Sequence, residues 1–299
     1  MSDRKLLITG ASGKLGKQVI EYLLNDFNIP ASQLIATSRE VASLAGLAEM
    51  GVDVRKADFA DPASLEAAFT GADNMLLISI DAIGQRSELH RNAVVAAERV
   101  GIKHLSYTSM PAADTSPVVF AFEHEATEKA IADSQISNWT ILRNNWYFEN
   151  LAEFFASTLQ TQAWLTAAKE GKSAQLSRLD LAYAAAASVV KALEGKQTFT
   201  LNGPESLTTD EMAAKINHAL GLDIQVIHQS DEELEAQLAS FGLPEGIVAM
   251  VTTMDQHARG AFSDGTSQEF EMLTGRQPQS FSHWLEANRN MLSQIAKNA

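Results

Sequence analysis

Short apolar runs alternate with amphipathic stretches along the first half of the chain. The runs at 5–9 and 34–38 are predicted to be strands, and the near-continuous apolar run at 74–80 is predicted to be a central parallel strand. Further strands are predicted at 53–58, 104–109 and 139–143, and helices at 18–24, 61–71, 88–100 and 118–132. Six strands with intervening helices predict an α/β fold with a doubly wound parallel sheet.

The second half of the chain has a different pattern and is predicted to be mostly helical. Helices are expected at 151–159 and 181–193 and after a cap at Thr208 or Thr209, short strands at 198–201 and 224–228, and a turn at 275–278 before the last helix. We therefore divide the chain into a sheet domain, 1–150, and a smaller mixed α/β part, 151–299, some of which could return to the sheet. The second part is expected to cover the carboxyl edge of the sheet, where ligands of open α/β sheets bind.

A glycine-rich segment with the spacing Gly-x-x-Gly-x-x-Gly lies between the first predicted strand and the first helix. Gly10 is expected to permit a tight turn, Gly13 to let the backbone approach a pyrophosphate, and Gly16 to let the helix pack closely. The N–H groups and the dipole of a helix N-terminus favour an anion. The segment therefore predicts a dinucleotide site, in a Rossmann domain, formed by Gly10, Ala11, Ser12, Gly13, Lys14, Leu15 and Gly16.

Arg39 follows the second predicted strand, at the position that distinguishes NADP from NAD. Because a guanidinium binds a phosphate through two hydrogen bonds, Arg39 predicts NADP as the cofactor, whereas the neighbouring Glu40 is expected to begin the next helix and point elsewhere. Asp58 and Phe59 end the third strand and are candidates for holding the adenine, although a role for Asp58 as the N-cap of the following helix is also open. The later strand ends contribute three more candidates, which are expected along the ribose and nicotinamide: Ser79, Ile80 and Ser109.

Composition and charge narrow the range of partners. The 299 residues are 45% hydrophobic, and the net charge of −14 argues against a nucleic-acid partner. The chain has no cysteine, no signal-peptide pattern and no apolar run long enough to span a membrane, so a cytoplasmic protein is expected. The sequence leaves open whether the protein is a homodimer. The histidines are scattered, and no metal site is predicted.

Many reductases with this fold use Tyr-x-x-x-Lys as the acid. None of the four tyrosines is followed by a lysine at that spacing, so this chain lacks that pair. His124, in the helix where the pair would stand, is a candidate general acid or substrate hydrogen-bond donor, although a structural role is equally open. The strand end at 143–150 contributes amides, Asn144 and Asn145, beside three aromatic candidates for a planar substrate: Trp146, Tyr147 and Phe148.

The segments 9–16, 123–129 and 142–150 together resemble the NmrA-like family of atypical short-chain dehydrogenases/reductases, and within it the bacterial NADPH:quinone oxidoreductases. The resemblance runs over essentially the whole chain. It implies a flavin-free, NADPH-dependent reductase that acts on quinones or similar conjugated acceptors. It also implies cofactor contacts from the glycine segment, Arg39 and Ser79, and from a block that follows the sixth strand: Leu142, Arg143, Asn144, Asn145, Trp146 and Tyr147.

The resulting hypothesis is direct hydride transfer to a quinone stacked between Trp146, Tyr147 and the C-terminal helices. His124, Tyr147 or water would supply the proton; the related isoflavone-reductase-like enzymes have a lysine in the place of His124, which leaves the donor open. The alternative is a redox sensor that binds NADP(H) without turnover and regulates a partner protein. A sugar-nucleotide epimerase is disfavoured because Tyr-x-x-x-Lys is absent.

Overall fold

A seven-stranded parallel sheet forms the centre of the molecule in a computed structural model, which describes residues 4–153 and 156–297. Its strands are β1 (Leu6–Ile8), β2 (Leu34–Ser38), β3 (Asp53–Lys56), β4 (Asn74–Leu77), β5 (His104–Ser109), β6 (Asn138–Asn144) and β9 (Lys196–Leu201). They lie in the order β3-β2-β1-β4-β5-β6-β9, and each neighbouring pair is parallel. The chain reverses direction across the sheet between β1 and β4, which confirms the doubly wound Rossmann-like fold.

Four shorter strands form two small sheets in the second half. β7 (Ala163–Thr166) pairs in parallel with β11 (Gln225–His228), and β8 (Lys172–Ser173) pairs antiparallel with β10 (Leu207–Thr208). β11 was predicted at 224–228, whereas β7, β8 and β10 were not predicted. They are two to four residues long, and so short a run carries no readable alternation of apolar and polar positions.

The helices of the first half are α1 (Lys14–Asn25), α2 (Ala45–Glu49), α3 (Pro62–Phe69), α4 (Arg86–Val100) and α5 (Ala121–Asp133). In the second half, α6 (Asn150–Glu153), α7 (Ala156–Thr161), α8 (Arg178–Lys191) and α9 (Thr209–Leu220) are followed by α10 (Asp231–Ser240), α11 (Glu245–Arg259), α12 (Glu269–Thr274), α13 (Phe281–Ala287) and α14 (Arg289–Lys297). The helix predicted at 151–159 is thus not one described helix; positions 154 and 155 lie outside the described residues. No helix in the described ranges is long and apolar enough to cross a bilayer.

Successive residues of β1 point to opposite faces of the sheet and separate two apolar cores. Leu7 packs with residues of α3, α4 and α5, whereas Leu6 and Ile8 pack with residues of α1 and α8. The second half of the chain therefore adds α8 to one helical layer and β9 to the sheet, so the predicted count of six sheet strands was too low. β9 lies at the edge of the sheet, next to β6, and its buried residues alternate with more exposed ones. In the sequence this pattern predicts a strand but does not indicate which sheet the strand joins. The proposed boundary at residue 150 stays a prediction.

The fourth strand is shorter than predicted, ending at Leu77 instead of residue 80, because side chains take over its backbone hydrogen bonds. The N–H groups of residues 78, 79 and 80 donate to Thr9 Oγ1, Thr108 Oγ1 and His90 Nε2, at 2.9, 2.8 and 3.1 Å. The segment thus leaves the ladder while every one of these donors stays satisfied. It turns the chain into a loop that runs to the start of α4.

Candidate functional site

A cleft of about 810 Å³ lies at the carboxyl ends of β1, β2, β3 and β4, at the point where the strand order reverses. This is where ligands bind in open α/β sheets. Twelve of the predicted site residues line it: Gly10, Ser12, Gly13, Lys14, Leu15, Gly16, Arg39, Asp58, Phe59, Ser79, Ile80 and Tyr147. The structure thus brings the glycine segment, Arg39 and the ends of four strands to one cavity.

The glycine segment has the backbone geometry expected of a phosphate loop. Gly10 has a φ of +59°, in the region that favours glycine. A Cβ on Gly16 would lie 2.3 Å from the carbonyl oxygen of Gly10, so only glycine allows this close approach. Gly13 precedes α1, no side chain caps this helix, and its first turn carries no acidic residue. The first N–H groups of α1 are therefore available to an anion in the cleft.

Arg39 lies in the wall of the cleft, just beyond the end of β2. Its side chain is exposed and forms no ion pair with any residue in the described ranges. Glu40 instead accepts a hydrogen bond from the Ala42 N–H and caps the following turn, as expected. Ser38 reaches Ser12 of the glycine segment, with 3.0 Å between their hydroxyl oxygens. An unpaired guanidinium beside two hydroxyl groups is suited to binding a phosphate.

Asp58 and Phe59 lie on the same wall of the cleft but differ in which of their atoms remain available to a ligand. The Asp58 carboxylate accepts the N–H of Ala60, whereas Asp61 caps α3. Phe59 is buried in the core, and its carbonyl accepts a hydrogen bond from Asn92. Asp58 is thus not the cap of α3, and no described residue bonds its Oδ2, which leaves that oxygen for a ligand.

Three charged residues of the cleft were not anticipated from the sequence: Asp81 of the loop before α4, Glu153 of α6 and Arg178 of α8. The Glu153 carboxylate lies 2.9 Å from both Lys14 and Arg178, and the Arg178 guanidinium lies 5.4 Å from the centre of the Tyr147 ring. Partial burial raises the pKa of Tyr147, and Arg178 opposes that shift. Arg178 follows an ordinary Ser177 cap, so nothing in its local sequence marks it as a cleft residue.

His124 does not line the cleft; it lies beneath it with both ring nitrogens bonded. Arg86 is 3.0 Å from Nε2, and the Tyr107 hydroxyl is 2.8 Å from Nδ1. A guanidinium has only donors, so Nε2 accepts and Nδ1 carries the proton. Burial and the Arg86 charge lower the pKa of His124 to about 3. The imidazole is therefore neutral and fully engaged, which favours a positioning role over proton transfer.

Arg86, His90, Glu123, His124 and Thr127 form one buried group, the histidine cluster. Arg86 Nε donates to the carbonyl of Ile80 at 2.8 Å, and His90 accepts the Ile80 N–H. Glu123 Oε1 accepts the N–H groups of Gly84 and Arg86. The cluster thus holds both ends of the loop at 80–86, which lines the cleft.

Several residues predicted to contact the cofactor lie outside the cleft lining. Ser109 and Arg143 both bind Glu128, at 2.6 and 2.7 Å, and the Asn145 amide nitrogen donates to the Asn202 side chain at 2.9 Å. Ala11 and Leu142 are fully buried in the core, and Asn144 is buried too. Direct contact with a cofactor stays a prediction for these residues, and their placement does not favour it.

A second, smaller cavity of about 70 Å³ adjoins the segment 146–150, and Asn150 lines both cavities. We call it the aromatic cavity, lined by Trp146, Phe148, Trp164, Met254 and Asp255, among others. Phe148 also packs against Phe281, with ring centres 5.1 Å apart, so it serves the core as well. Of the three aromatic candidates for substrate contact, Trp146 and Phe148 line this cavity and Tyr147 lines the cleft.

Comparison with known proteins gives one consistent result. The model of the NmrA-like family matches residues 2–285. The chain belongs to the NmrA-like family. A curated NmrA-like relative, quinone oxidoreductase 2 of Escherichia coli strain K12, is 38% identical over 289 residues, which span 95% of this chain and 99% of the relative. The family predicted from the three segments at 9–16, 123–129 and 142–150 is thereby confirmed.

Two solved structures share the whole NmrA-like architecture. The NADPH-dependent quinone oxidoreductase of Escherichia coli, in complex with NADPH, has a TM-score of 0.89 and 36% identity, covering 94% of this chain and 99% of that one. The triphenylmethane reductase of Citrobacter sp., in complex with NADP(H), has a TM-score of 0.86 and 30% identity, covering 98% and 100%. Both structures contain the dinucleotide that Arg39 predicts for this chain.

Proposed function

We propose that the protein is an NADPH-dependent reductase of quinones or similar conjugated acceptors. The observation that carries this proposal is the cleft, in which an uncapped helix N-terminus and Arg39, which pairs with no described residue, are suited to the pyrophosphate and the 2′-phosphate of NADPH. The relatives named above, a quinone oxidoreductase and a dye reductase, support the class of acceptor.

The described residues fit the dinucleotide at each part of the cleft. The first turn of α1 would hold the pyrophosphate, and Arg39 with Ser38 would hold the 2′-phosphate. Asp58 would bond the adenine, and Ile80 and Tyr147 would border the nicotinamide. When bound, NADPH supplies a hydride. The role of this chain's residues is then to position the acceptor and to exclude water, which can account for much of the rate.

The test is NADPH oxidation against a panel of simple quinones, with NADH as the control. Arg39→Ala should raise the Kd for NADPH by about 10- to 100-fold, because a charged hydrogen-bonded pair contributes about 1.5–3 kcal/mol. The Kd for NADH should stay unchanged. Arg91→Ala, an exposed arginine of α4, is the matched control. An equal loss for both nucleotides would refute the phosphate role, and tight NADPH binding without turnover of any quinone would favour the sensor.

We place this activity in the cytoplasm. Size-exclusion chromatography tests whether the protein is a homodimer.

A further inference from the structure

Asp255 is a half-buried acid whose hydrogen bonds to the described residues all reach one carboxylate oxygen. Its Oδ2 accepts hydrogen bonds from Thr166 Oγ1 at 3.0 Å and from the Ala167 N–H at 2.6 Å. Within the described ranges, no hydrogen bond reaches Oδ1. Asp255 also lines the aromatic cavity, whose other walls are mostly apolar. The carboxyl is therefore fixed by one oxygen, which leaves the other for a ligand.

The surroundings of Asp255 make the neutral acid more accessible near pH 6 than it is for an ordinary aspartate. Burial raises the pKa of Asp255 to about 6, against the opposing effect of its two hydrogen bonds. The charged groups packed around it are Arg259, on the same helix, and Asp231 of α10. They pair with each other at 2.8 Å, so the Arg259 charge is shared with Asp231 and opposes the raised pKa of Asp255 only in part. A carboxylic acid in an apolar pocket can donate its proton as well as hold a hydrogen bond.

The size of the aromatic cavity limits what it can take. A cavity that holds benzene measures about 150 Å³, whereas this one measures about 70 Å³. It can accept one edge of a ring, with Trp146 and Met254 against that edge. Asn150 lines both this cavity and the cleft, so a ring seated here reaches toward the cleft.

We infer that the aromatic cavity binds one edge of the quinone ring and that Asp255 Oδ1 donates the proton to the quinone oxygen at that edge. This inference rests on the proposed function. Once the ring has taken up a hydride, its oxygen carries the negative charge. The O–H bond of Asp255 breaks and an enol O–H bond forms on that oxygen, after which the aspartate regains a proton from water. The hydrogen delivered as hydride then leaves the ring carbon as a proton to water while the second oxygen gains a proton from water, which gives the hydroquinone. The balance is one hydride and one proton per quinone, with no further reactant.

Asp255→Asn separates proton donation from binding. The amide oxygen can still accept from Thr166 and Ala167, and the NH₂ group can still bond a quinone oxygen, but the side chain cannot release a proton. With saturating NADPH and 1,4-benzoquinone, kcat should fall at least about tenfold, since a positioned acid contributes about 10²- to 10⁴-fold, and KM should change by less than about twofold. Asp210→Asn, an exposed aspartate of α9, is the matched control.

The pH profile gives a second readout. Because Asp255 must be protonated, kcat of the unaltered protein should decline as pH rises above about 6, and Asp255→Asn should lose this dependence. An Asp255→Asn variant with unchanged kcat and an unchanged profile would overturn the inference while leaving quinone reduction itself intact.

Binding without turnover supplies a test that does not depend on activity. 1,4-Dihydroxybenzene should quench the fluorescence of Trp146 and Trp164 in the aromatic cavity, with NADP⁺ present. Asp255→Leu should weaken that binding at least about fivefold, because leucine cannot form the hydrogen bond that the Asp255 carboxyl forms with a hydroxyl group of the ligand. Equal binding by Asp255→Leu and the unaltered protein, both folded by thermal melting, would also overturn the inference. A failed proposed function would instead show as no NADPH oxidation by the unaltered protein with any quinone.

Discussion

The histidine cluster and the aromatic cavity both hold titratable groups next to the cleft, but the two histidines of the cluster and Asp255 of the cavity are bonded in opposite ways. In the cluster, His90 and His124 have partners at both ring nitrogens. In the cavity, Asp255 has two partners at one oxygen and none from the described residues at the other. A group with every site bonded is held in place and can hold others. A group with one free site can interact with a ligand. The first arrangement suits positioning, and the second suits chemistry.

The two regions also differ in what they are attached to. The histidine cluster binds the backbone of the loop at 80–86, so its rigidity is transmitted to the cleft wall. Asp255 is tied to Thr166, the last residue of β7, and to Ala167, which follows that strand. The first half therefore contributes most of the cleft lining, and the second half brings Glu153 and Arg178 to the cleft and Asp255 to the aromatic cavity.

Arg86→Met should have the largest effect. Arg86 holds the Ile80 carbonyl and His124, and it lies 4.0 Å from the buried Glu123 carboxylate. Removing one partner of a buried charged group costs about 3–5 kcal/mol. We expect the free energy of unfolding of Arg86→Met, measured with urea, to fall by this amount. The KM for NADPH should increase several-fold. Arg99→Met removes an arginine from the same helix, but its partner Glu66 is exposed, so the loss should stay below about 1 kcal/mol. Equal losses would show that the cluster does not hold the loop.

Gly16→Ala should have the next largest effect. Its Cβ would lie 2.3 Å from the Gly10 carbonyl oxygen and 2.9 Å from the Ala11 Cα, which are backbone atoms that cannot rotate away. Overpacking of this kind costs about 1–3 kcal/mol, and the displaced loop should bind NADPH at least about tenfold more weakly. Gly46→Ala is the control, because nothing lies within 4 Å of a Cβ there. Thermal unfolding and NADPH fluorescence titration measure both effects. Unchanged NADPH affinity in Gly16→Ala would contradict the tight fit.

The cofactor cleft could be predicted from the sequence because its signals are local. The glycine spacing, Arg39 and Asp58 each lie at the end of a strand whose apolar run is readable, and parallel strands bring their carboxyl ends together. The true end of β4 could not be predicted in this way. Its N–H groups donate to Thr9, Thr108 and His90, which come from three separate parts of the chain.

The other features that the sequence did not predict have the same physical origin. The role of each side chain depends on partners that are far away in sequence. The helix around His124 is equally compatible with a catalytic and a structural histidine, and only Arg86 and Tyr107 decide between them. Asp255 has no motif at all. Its surroundings come from β7, from α11 and from the segment after β6. Arg178 reaches the cleft only because α8 packs on the same layer as α1.

The smallest effect we predict is a pair of opposite changes in the pH dependence of stability. The pKa of His124 is lowered to about 3 in the folded protein, from an unfolded value near 6.5. Between these values the unfolded chain binds more protons, so stability is present above pH 6.5 and is lost on acidification. The pKa of Asp255 is raised to about 6 from 3.8, so here the folded protein binds more protons and its stability falls as pH rises.

Unfolding free energies at pH 6 and pH 5 therefore distinguish the two regions. One titrating group contributes up to about 1.4 kcal/mol per pH unit, so His124→Gln should reduce the loss of stability on acidification by about 1 kcal/mol. Asp255→Asn should increase that loss by a smaller amount, because its pKa lies within the interval and its contribution is partial. His283→Gln, an exposed histidine of α13, should stay within about 0.5 kcal/mol of the unaltered protein. Changes of the same sign in both variants would contradict the view that the cluster holds a neutral base and the cavity a neutral acid.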